Sequence, residues 1–366
     1  MSNTSMTIQV PGKLMVAGEF AVLEPYHQLV VMAVDRYVYA TITEQNNNRL
    51  SLLDFALTDL EWDYHANKLD IRAQDDRLRF VEDAMTVVLT YLVENEIRLS
   101  HFHLTIKSEL DDASGVKYGL GSSAAVVTSV IASILHMHLN EKPTAELVFK
   151  LAAIAHVKTQ GSGSGADVAA SSYGGFLQYS SFQAEWLLQS YQQAHSIMEL
   201  LKMEWPYFSV NPIQLPKDIY ICIGWTGNPA STSRLIPRIR ELNNHHPELY
   251  QQFLLDSKQA VTTFLEGVEK SDKGLLFKGV ADNRNALATV GKNAGVEVET
   301  PLLKTLCDLA EQYGGVGKPS GAGGGDCGIA FMPNLQMANR LMKAWQDVGI
   351  KPLTISPNLF GATMVE

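Results

Sequence analysis

The sequence predicts an α+β protein of two domains, and three observations carry that expectation. Strand-like and helix-like segments are mixed without a regular βαβ alternation, which disfavours a doubly wound parallel sheet. A chain of 366 residues, 46% apolar and 19% charged, has enough apolar content for two cores. Three prolines, Pro206, Pro212 and Pro216, cluster in one short stretch and read as a boundary. The expected domains are residues 1–210 and 211–366.

Composition also excludes function classes. The formal net charge is −10, so the chain lacks the excess of basic residues that a general nucleic-acid grip needs, and no nucleic-acid partner is expected. Local cations and backbone N–H groups can still hold a phosphate inside an acidic protein. Cys222, Cys307 and Cys327 lie far apart with no C-x-x-C pair, so neither zinc nor a disulfide framework is indicated. The opening MSNTSMTIQV has no basic segment followed by an apolar one. The charge-free stretch Ser122–Asn140 carries Ser122, Ser123, Thr128, Ser129, Ser133, His136 and His138, so it reads as a buried helix and not a membrane span. A cytoplasmic protein with no membrane partner is expected.

In order, Ile8–Val10, Leu14–Ala17, Leu29–Val34 and Tyr37–Thr43 read as strands from their short apolar, β-branched and aromatic runs. Arg77–Glu94 has helical spacing, with Phe80, Met85, Val88, Leu89 and Leu92 on one face. Phe102, Leu104 and Ile106 alternate with His103 and Thr105 as in a half-buried strand. Helices are expected from Ser122 to about His138, and from Pro143 to about Val157 with the proline in the first turn. Gly161–Gly175 is loop plus a small-residue helix, followed by a strand at Gly175–Tyr179. The second half predicts a strand at Asp218–Trp225 and helices at Thr232–Leu242, Pro247–Glu269, Lys273–Val290 and Pro301–Tyr313. A glycine-rich loop at Gly314–Gly325, a strand at Cys327–Met332, a helix at Leu335–Val348 and a strand at Leu353–Ser356 complete the chain.

Four segments carry candidate chemistry. In Lys117-Tyr118-Gly119-Leu120-Gly121-Ser122-Ser123-Ala124, glycines precede a helix start. Its first-turn N–H groups and dipole make a phosphate cradle, although the same residues also read as an ordinary Ser-capped helix. In Lys318–Asp326, four glycines fall between Gly321 and Gly325. Their entropy cost favours close approach to a ligand or another loop over a flexible connection. In Gly161–Ala169, Asp167 sits where a loop becomes a helix, as a functional carboxylate or a cap. In Pro11–Phe20, Lys13 stands among apolar strand residues, where it meets an anion or snorkels. Gly317-Lys318 is not a Walker loop, because Pro319 replaces Ser/Thr. His245-His246 has no ligand partner at helical spacing and reads as solvated loop.

Taken jointly, Pro11-Gly12-Lys13 near the start, Gly119-Leu120-Gly121-Ser122-Ser123-Ala124-Ala125 in the middle and Gly321–Gly325 late resemble the three motifs of the GHMP kinase superfamily. Within it, the opening PGKLMVAGEFAVLEP, Lys117 before the phosphate loop, and Gly224–Thr232 are most similar to the bacterial phosphomevalonate kinase family.

The resemblance implies the two-domain GHMP fold with its active site in the interdomain cleft. It implies transfer of the γ-phosphoryl of ATP to (R)-5-phosphomevalonate, on the mevalonate route to isopentenyl diphosphate. By that resemblance Gly119, Leu120, Gly121, Ser122, Ser123 and Ala124 hold ATP. Lys117 holds a nucleotide or acceptor phosphate, and Lys13 and Asp167 are catalytic. Lys13, Glu19, Ser162, Ser164, Trp225, Ser231, Ser320, Gly321, Ala322 and Gly323 face the acceptor. Mg²⁺ is the implied metal. His156 stands eleven residues before Asp167, where mevalonate kinases carry a metal carboxylate, which leaves Ser123 as the expected protein contact. A monomer or homodimer is expected. The alternatives are mevalonate kinase or another GHMP small-molecule kinase, and a non-catalytic ligand sensor; Lys13 and Asp167, which such sensors can lose, are both present.

Overall fold

The computed structural model describes residues 5–111, 117–228 and 232–365, with side chains from Leu235 onward in the last segment. The first half builds β1 (Ser5–Ala17), β2 (Gln28–Glu44), β3 (Arg49–Leu52), β4 (Leu57–His65), β5 (Lys68–Ile71), β6 (Phe102–Ser108), β7 (Phe176–Ser180) and β8 (Ser209–Ile213). The second builds β9 (Tyr220–Trp225), β10 (Val316–Pro319), β11 (Cys327–Met332) and β12 (Lys351–Leu353), and β13 (Thr363–Met364) returns to β1. The larger sheet runs β13-β1-β2-β6-β3-β4-β5, with β7 pairing β2 and β8 pairing β7; the smaller runs β10-β11-β9-β12. Almost all pairings are antiparallel, and β3 with β6 is parallel. This is the expected α+β class.

Pro11-Gly12 does not divide the first strand in two. It makes a register irregularity between Pro11 and Gly12 inside one long β1–β2 ladder, so Ile8–Val10 and Leu14–Ala17 are one strand. Such a bulge turns the strand without ending it. The expected boundary at residue 210 falls inside β8, which belongs to the larger sheet.

Helices α1 (Arg79–Glu94), α2 (Ser122–His138), α3 (Ala145–Gln160) and α4 (Ala166–Tyr173) pack with the larger sheet; α5 (Ala184–Gln193) and α6 (Ile197–Lys202) follow. In the second half α7 (Thr232–His245), α8 (Pro247–Glu269) and α9 (Lys273–Asn293) precede α10 (Pro301–Gln312) and α11 (Leu335–Asp347). Helix α2 buries every residue from Ala124 to Leu135 except Val126, which explains its lack of charge. Ser129 and Ser133 satisfy their hydroxyls on the carbonyls of Val126 and Val130. Helix α3 starts at Ala145, because Thr144 caps it by accepting from the Leu147 N–H, and Pro143 lies outside.

The main core unites β1, β2, α1–α4 and parts of the second half, including Phe264, Ile329 and Phe331. A second cluster joins Phe20 and Ala21 to Leu235, Ile239, Tyr250 and Leu287. The segment leaving β1 is thus packed into the second half of the chain. Among the described residues, no helix is long and apolar enough to cross a membrane.

Candidate active site

A cleft of about 510 Å³ lies where β1, α2, α4 and the loop after β10 meet. Lys13, Glu19, Lys117, Gly119, Leu120, Gly121, Ser122, Ser123, Ser164, Asp167, Ser320, Gly321 and Ala322 all line it. Residues up to 309 positions apart are therefore brought to one wall.

The phosphate-cradle reading and the Ser-capped reading of Gly119–Ser123 separate here. The N-cap of α2 is Gly121, with φ 80° and ψ 41°, and it offers no side-chain cap. The N-cap of α4 is Gly165, again left-handed and without a side-chain cap. Elsewhere, Thr144, Asp272, Thr300 and Asn334 accept first-turn N–H groups in the ordinary way. Helix α2 thus begins at this cleft with no side chain on its first-turn donors, whereas at the start of α4 the Ala166 and Val168 N–H groups are taken by Ser164 Oγ and Asp167 Oδ1. Open N–H groups at a helix start attract anions through the dipole and direct hydrogen bonding.

Lys13 is fixed between these helix starts. Its backbone N–H donates to the Leu120 carbonyl at 2.8 Å and its Nζ to the Gly119 carbonyl at 2.9 Å. A methyl on Gly121 would lie 3.0 Å from Lys13 Cγ, 3.1 Å from its Cε and 3.6 Å from Asp167 Cβ. Glycine is required there both for its φ and for this close approach. Asp167 lies in the first turn of α4, and its Oδ1 accepts from the Val168 N–H at 3.0 Å; it does not cap the helix. Ser164 Oγ accepts from the Ala166 N–H at 3.3 Å. Its carbonyl accepts from the Tyr179 hydroxyl at 2.6 Å. Burial, with the Asp167 charge adding to it, pushes the Tyr179 phenol well up, so this donor keeps its proton.

Ser123 Oγ lies 3.2 Å from His156 Nε2, and the His156 ring rests against Phe80 at 5.4 Å. The histidine that replaces the expected carboxylate therefore touches the very hydroxyl assigned to the metal. Among the described residues, no group of three His, Cys, Asp or Glu side chains forms a metal cage. Hard oxygen donors, Ser123 Oγ and the Asp167 carboxylate, do face the same cleft.

Other expected site residues behave differently. Glu19 lines the cleft, but its carboxylate is occupied by Lys318 Nζ, by Asn283 Nδ2 at 3.0 Å and by the Gly321 N–H at 3.3 Å. Ser320 Oγ is bonded to both the N–H and the carbonyl of Met15, at 3.0 and 2.9 Å. Ala124 is fully buried in α2 and does not line the cleft. Gly323 packs against the Val298 backbone, and Gly324 donates to the Val298 carbonyl at 2.7 Å, so Gly323 braces the loop from behind. Trp225 is edge-on to Tyr118 at 5.0 Å with Lys351 over its ring, outside the cleft lining. Ser162 lies in an adjoining cavity with Arg240 and Tyr250, which shares Leu23 and Gly163 with the cleft. Ser231 lies outside the described residues.

Sequence reasoning missed several wall residues. Asp326, with φ 53°, packs where a methyl on Gly119 would lie, 2.4 Å from its Oδ2. Asp111 bridges Lys117 through the backbone, and its Oδ1 is buried without a hydrogen-bond partner among the described residues. Burial raises its carboxyl, with Lys117 acting in the opposite sense. Phe20, Val22, Leu23, Leu29 and Ile236 supply an apolar floor. Asp326 ends the glycine-rich segment Lys318–Asp326, which is the signal that pointed toward it; nothing local in the sequence marked Asp111 or the floor.

Two family models match this chain: GHMP kinases N terminal domain over residues 80–175, and GHMP kinases C terminal over residues 264–351. The chain belongs to the GHMP kinase family. It is 32% identical over 364 residues to a phosphomevalonate kinase of Streptomyces sp. (strain CL190), covering 96% of both chains. A crystal structure of a Lin0012 protein from Listeria innocua superposes with a TM-score of 0.92 at 34% identity, covering 99% of this chain and 100% of that one. The Streptococcus pneumoniae phosphomevalonate kinase in complex with phosphomevalonate and AMPPNP superposes with a TM-score of 0.83 at 26% identity, covering 97% and 99%.

Proposed function

We propose that this chain is a cytoplasmic, ATP-dependent phosphomevalonate kinase that converts (R)-5-phosphomevalonate to (R)-5-diphosphomevalonate and ADP. The observation that carries the reading is the junction of Lys13, the uncapped start of α2 and Asp167 in one cleft. The choice of acceptor rests on the likeness to phosphomevalonate kinases over nearly the whole chain.

Phosphoryl transfer needs positioning and charge neutralisation more than covalent chemistry from the protein. The N–H groups of Gly121–Ser123 are suited to hold the nucleotide phosphates, with Lys117 at the same end. Lys13, tethered by the Gly119 carbonyl, points its ammonium to the region between the two helix starts, where donor and acceptor phosphates meet. The apolar floor suits a branched carbon skeleton.

Mg²⁺ fits the hard oxygen donors Ser123 and Asp167, and it would neutralise charge on the nucleotide phosphates. His156 accepts from or donates to Ser123 Oγ and so fixes the direction of that hydroxyl.

A phosphomonoester loses its second proton near pH ~6. At neutral pH the acceptor is already mostly ionised, so Asp167 has little proton to remove. Its role in this reading is to orient the acceptor and Lys13. The test is ADP release with a panel of mevalonate, phosphomevalonate, homoserine and galactose. Phosphomevalonate is expected to give the highest kcat/KM; a preference for any other acceptor overturns the assignment.

A further inference from the structure

The least solvated charges near the cleft are not on its catalytic groups. Lys318 is fully buried and Glu19 is 4% exposed, and the two are paired across 299 residues of sequence. Lys318 also donates to its neighbour's carbonyl at Pro319. Asn283, 1% exposed on α9, closes the network from the other side. Its Oδ1 accepts from the Gly18 N–H at 3.0 Å while its Nδ2 donates to Glu19 at 3.0 Å. The remaining donor to Glu19 is the backbone N–H of Gly321.

One carboxylate therefore gathers three donors from three separate elements: the end of β10, the middle of α9 and the glycine loop. Its own position follows β1, which carries Lys13. Burying two opposite charges gives little net stability, because desolvation offsets their attraction. A well-packed apolar pair would hold the fold as well. What the charged pair adds is direction. It presents the carboxylate to the Gly321 N–H, and Gly321 lines the cleft with open space above its Cα.

We infer that Glu19 and Lys318 are a positioning pair that sets the Ser320–Ala322 loop against β1, and so sets the fit of the acceptor phosphate. The inference rests on the proposed kinase function and on the expectation, from the family resemblance, that this loop of the cleft wall faces the acceptor. It replaces the expectation that Glu19 itself contacts the acceptor. Neither residue touches substrate in this account, and both act through Gly321.

The test compares Glu19→Gln, Lys318→Met, the double variant E19Q/K318M and Asn283→Ala. Each is assayed for acceptor KM, ATP KM, kcat and Tm. The acceptor is whichever compound the wild-type enzyme uses best, so an error in the assigned substrate changes the reagent and not this comparison. Each single charge variant leaves a buried charge uncompensated, so Tm is expected to fall by roughly 5–15 °C. Acceptor KM is expected to rise about 10–100-fold, at least ten times more than ATP KM.

The double variant separates direction from stability. Removing both charges is expected to return Tm to within about 3 °C of wild type, while acceptor KM stays raised at least about tenfold. Asn283→Ala, which leaves both charges in place, is expected to raise acceptor KM about 3–10-fold. It keeps the test open if the single charge variants do not fold. The inference is overturned if the double variant recovers acceptor KM together with Tm, if ATP KM rises by the same factor, or if acceptor KM does not move in the folded variants.

Discussion

Substituting Gly121 by alanine tests the convergence of the site more sharply than removing a charge. The residue has φ 80° and ψ 41°, a conformation that costs an L-residue about 1–2 kcal/mol. That strain alone corresponds to a Tm decrease of roughly 2–8 °C for a domain of this size. The new methyl also meets Lys13 Cγ at 3.0 Å and Cε at 3.1 Å, so the lysine stem must give by a few tenths of an ångström. A displacement approaching 1 Å at a positioning group can cost about 10²-fold in rate. Gly349→Ala supplies the control. Gly349 has φ 84°, is exposed, and has nothing within 4 Å of the added methyl. The same backbone strain is then present without the collision. Steady-state kcat and Tm should show similar Tm losses in both variants, with kcat reduced about 4–10-fold in Gly121→Ala and within about 2-fold of wild type in Gly349→Ala. If folded Gly121→Ala keeps kcat within 3-fold of the control, Lys13 is not the group whose placement matters, and the reasoning fails.

Lys13→Met should lower kcat by about 10²–10³, the range found when one preorganised donor to developing charge is removed. Asp167→Asn should lose far less, and a collapse that recovers at high pH would instead assign Asp167 as a base. Burial raises all three cysteine thiols, Cys222 to about 12 from an ordinary value of 9.0. Above pH 9 the unfolded chain gives up these protons before the folded one does, so stability falls from there toward pH 12. Denaturant midpoints between pH 8 and pH 11 should therefore decline less steeply in Cys222→Ala than in wild type; equal slopes would show that this thiol is not buried as described.

The parts of the site that could be read from sequence are those with local signatures. Glycines flanking a helix start marked Gly119–Ser123 and Gly161–Asp167, and an isolated cation among apolar residues marked Lys13. Helix limits were legible where a glycine or proline punctuates the chain, as at Gly121 and Pro247. What was lost depends on distant partners. Glu19 looked available for a ligand because nothing near it in sequence reveals Lys318. Trp225 looked like a substrate contact, but Tyr118 and Lys351 claim its ring. Gly323 shared a motif with Gly321 yet packs against Val298, whereas a methyl on Gly321 would meet open space. Strands β3–β5 escaped notice because their charged outer edge, with Arg49, Glu61, Asp63 and Arg72 in ion pairs, blurs the apolar alternation. Strand β10 was hidden in a stretch read as glycine-rich loop, although all four of its residues are buried.

The central claim is that the acceptor atom is a phosphate oxygen. Phosphorus NMR of a reaction supplied with ATP, phosphomevalonate and mevalonate reads this bond directly. The monoester resonance of the acceptor is expected to be replaced by two mutually coupled diphosphate resonances in step with ADP. A new uncoupled monoester formed from mevalonate, with phosphomevalonate left unchanged, would contradict it.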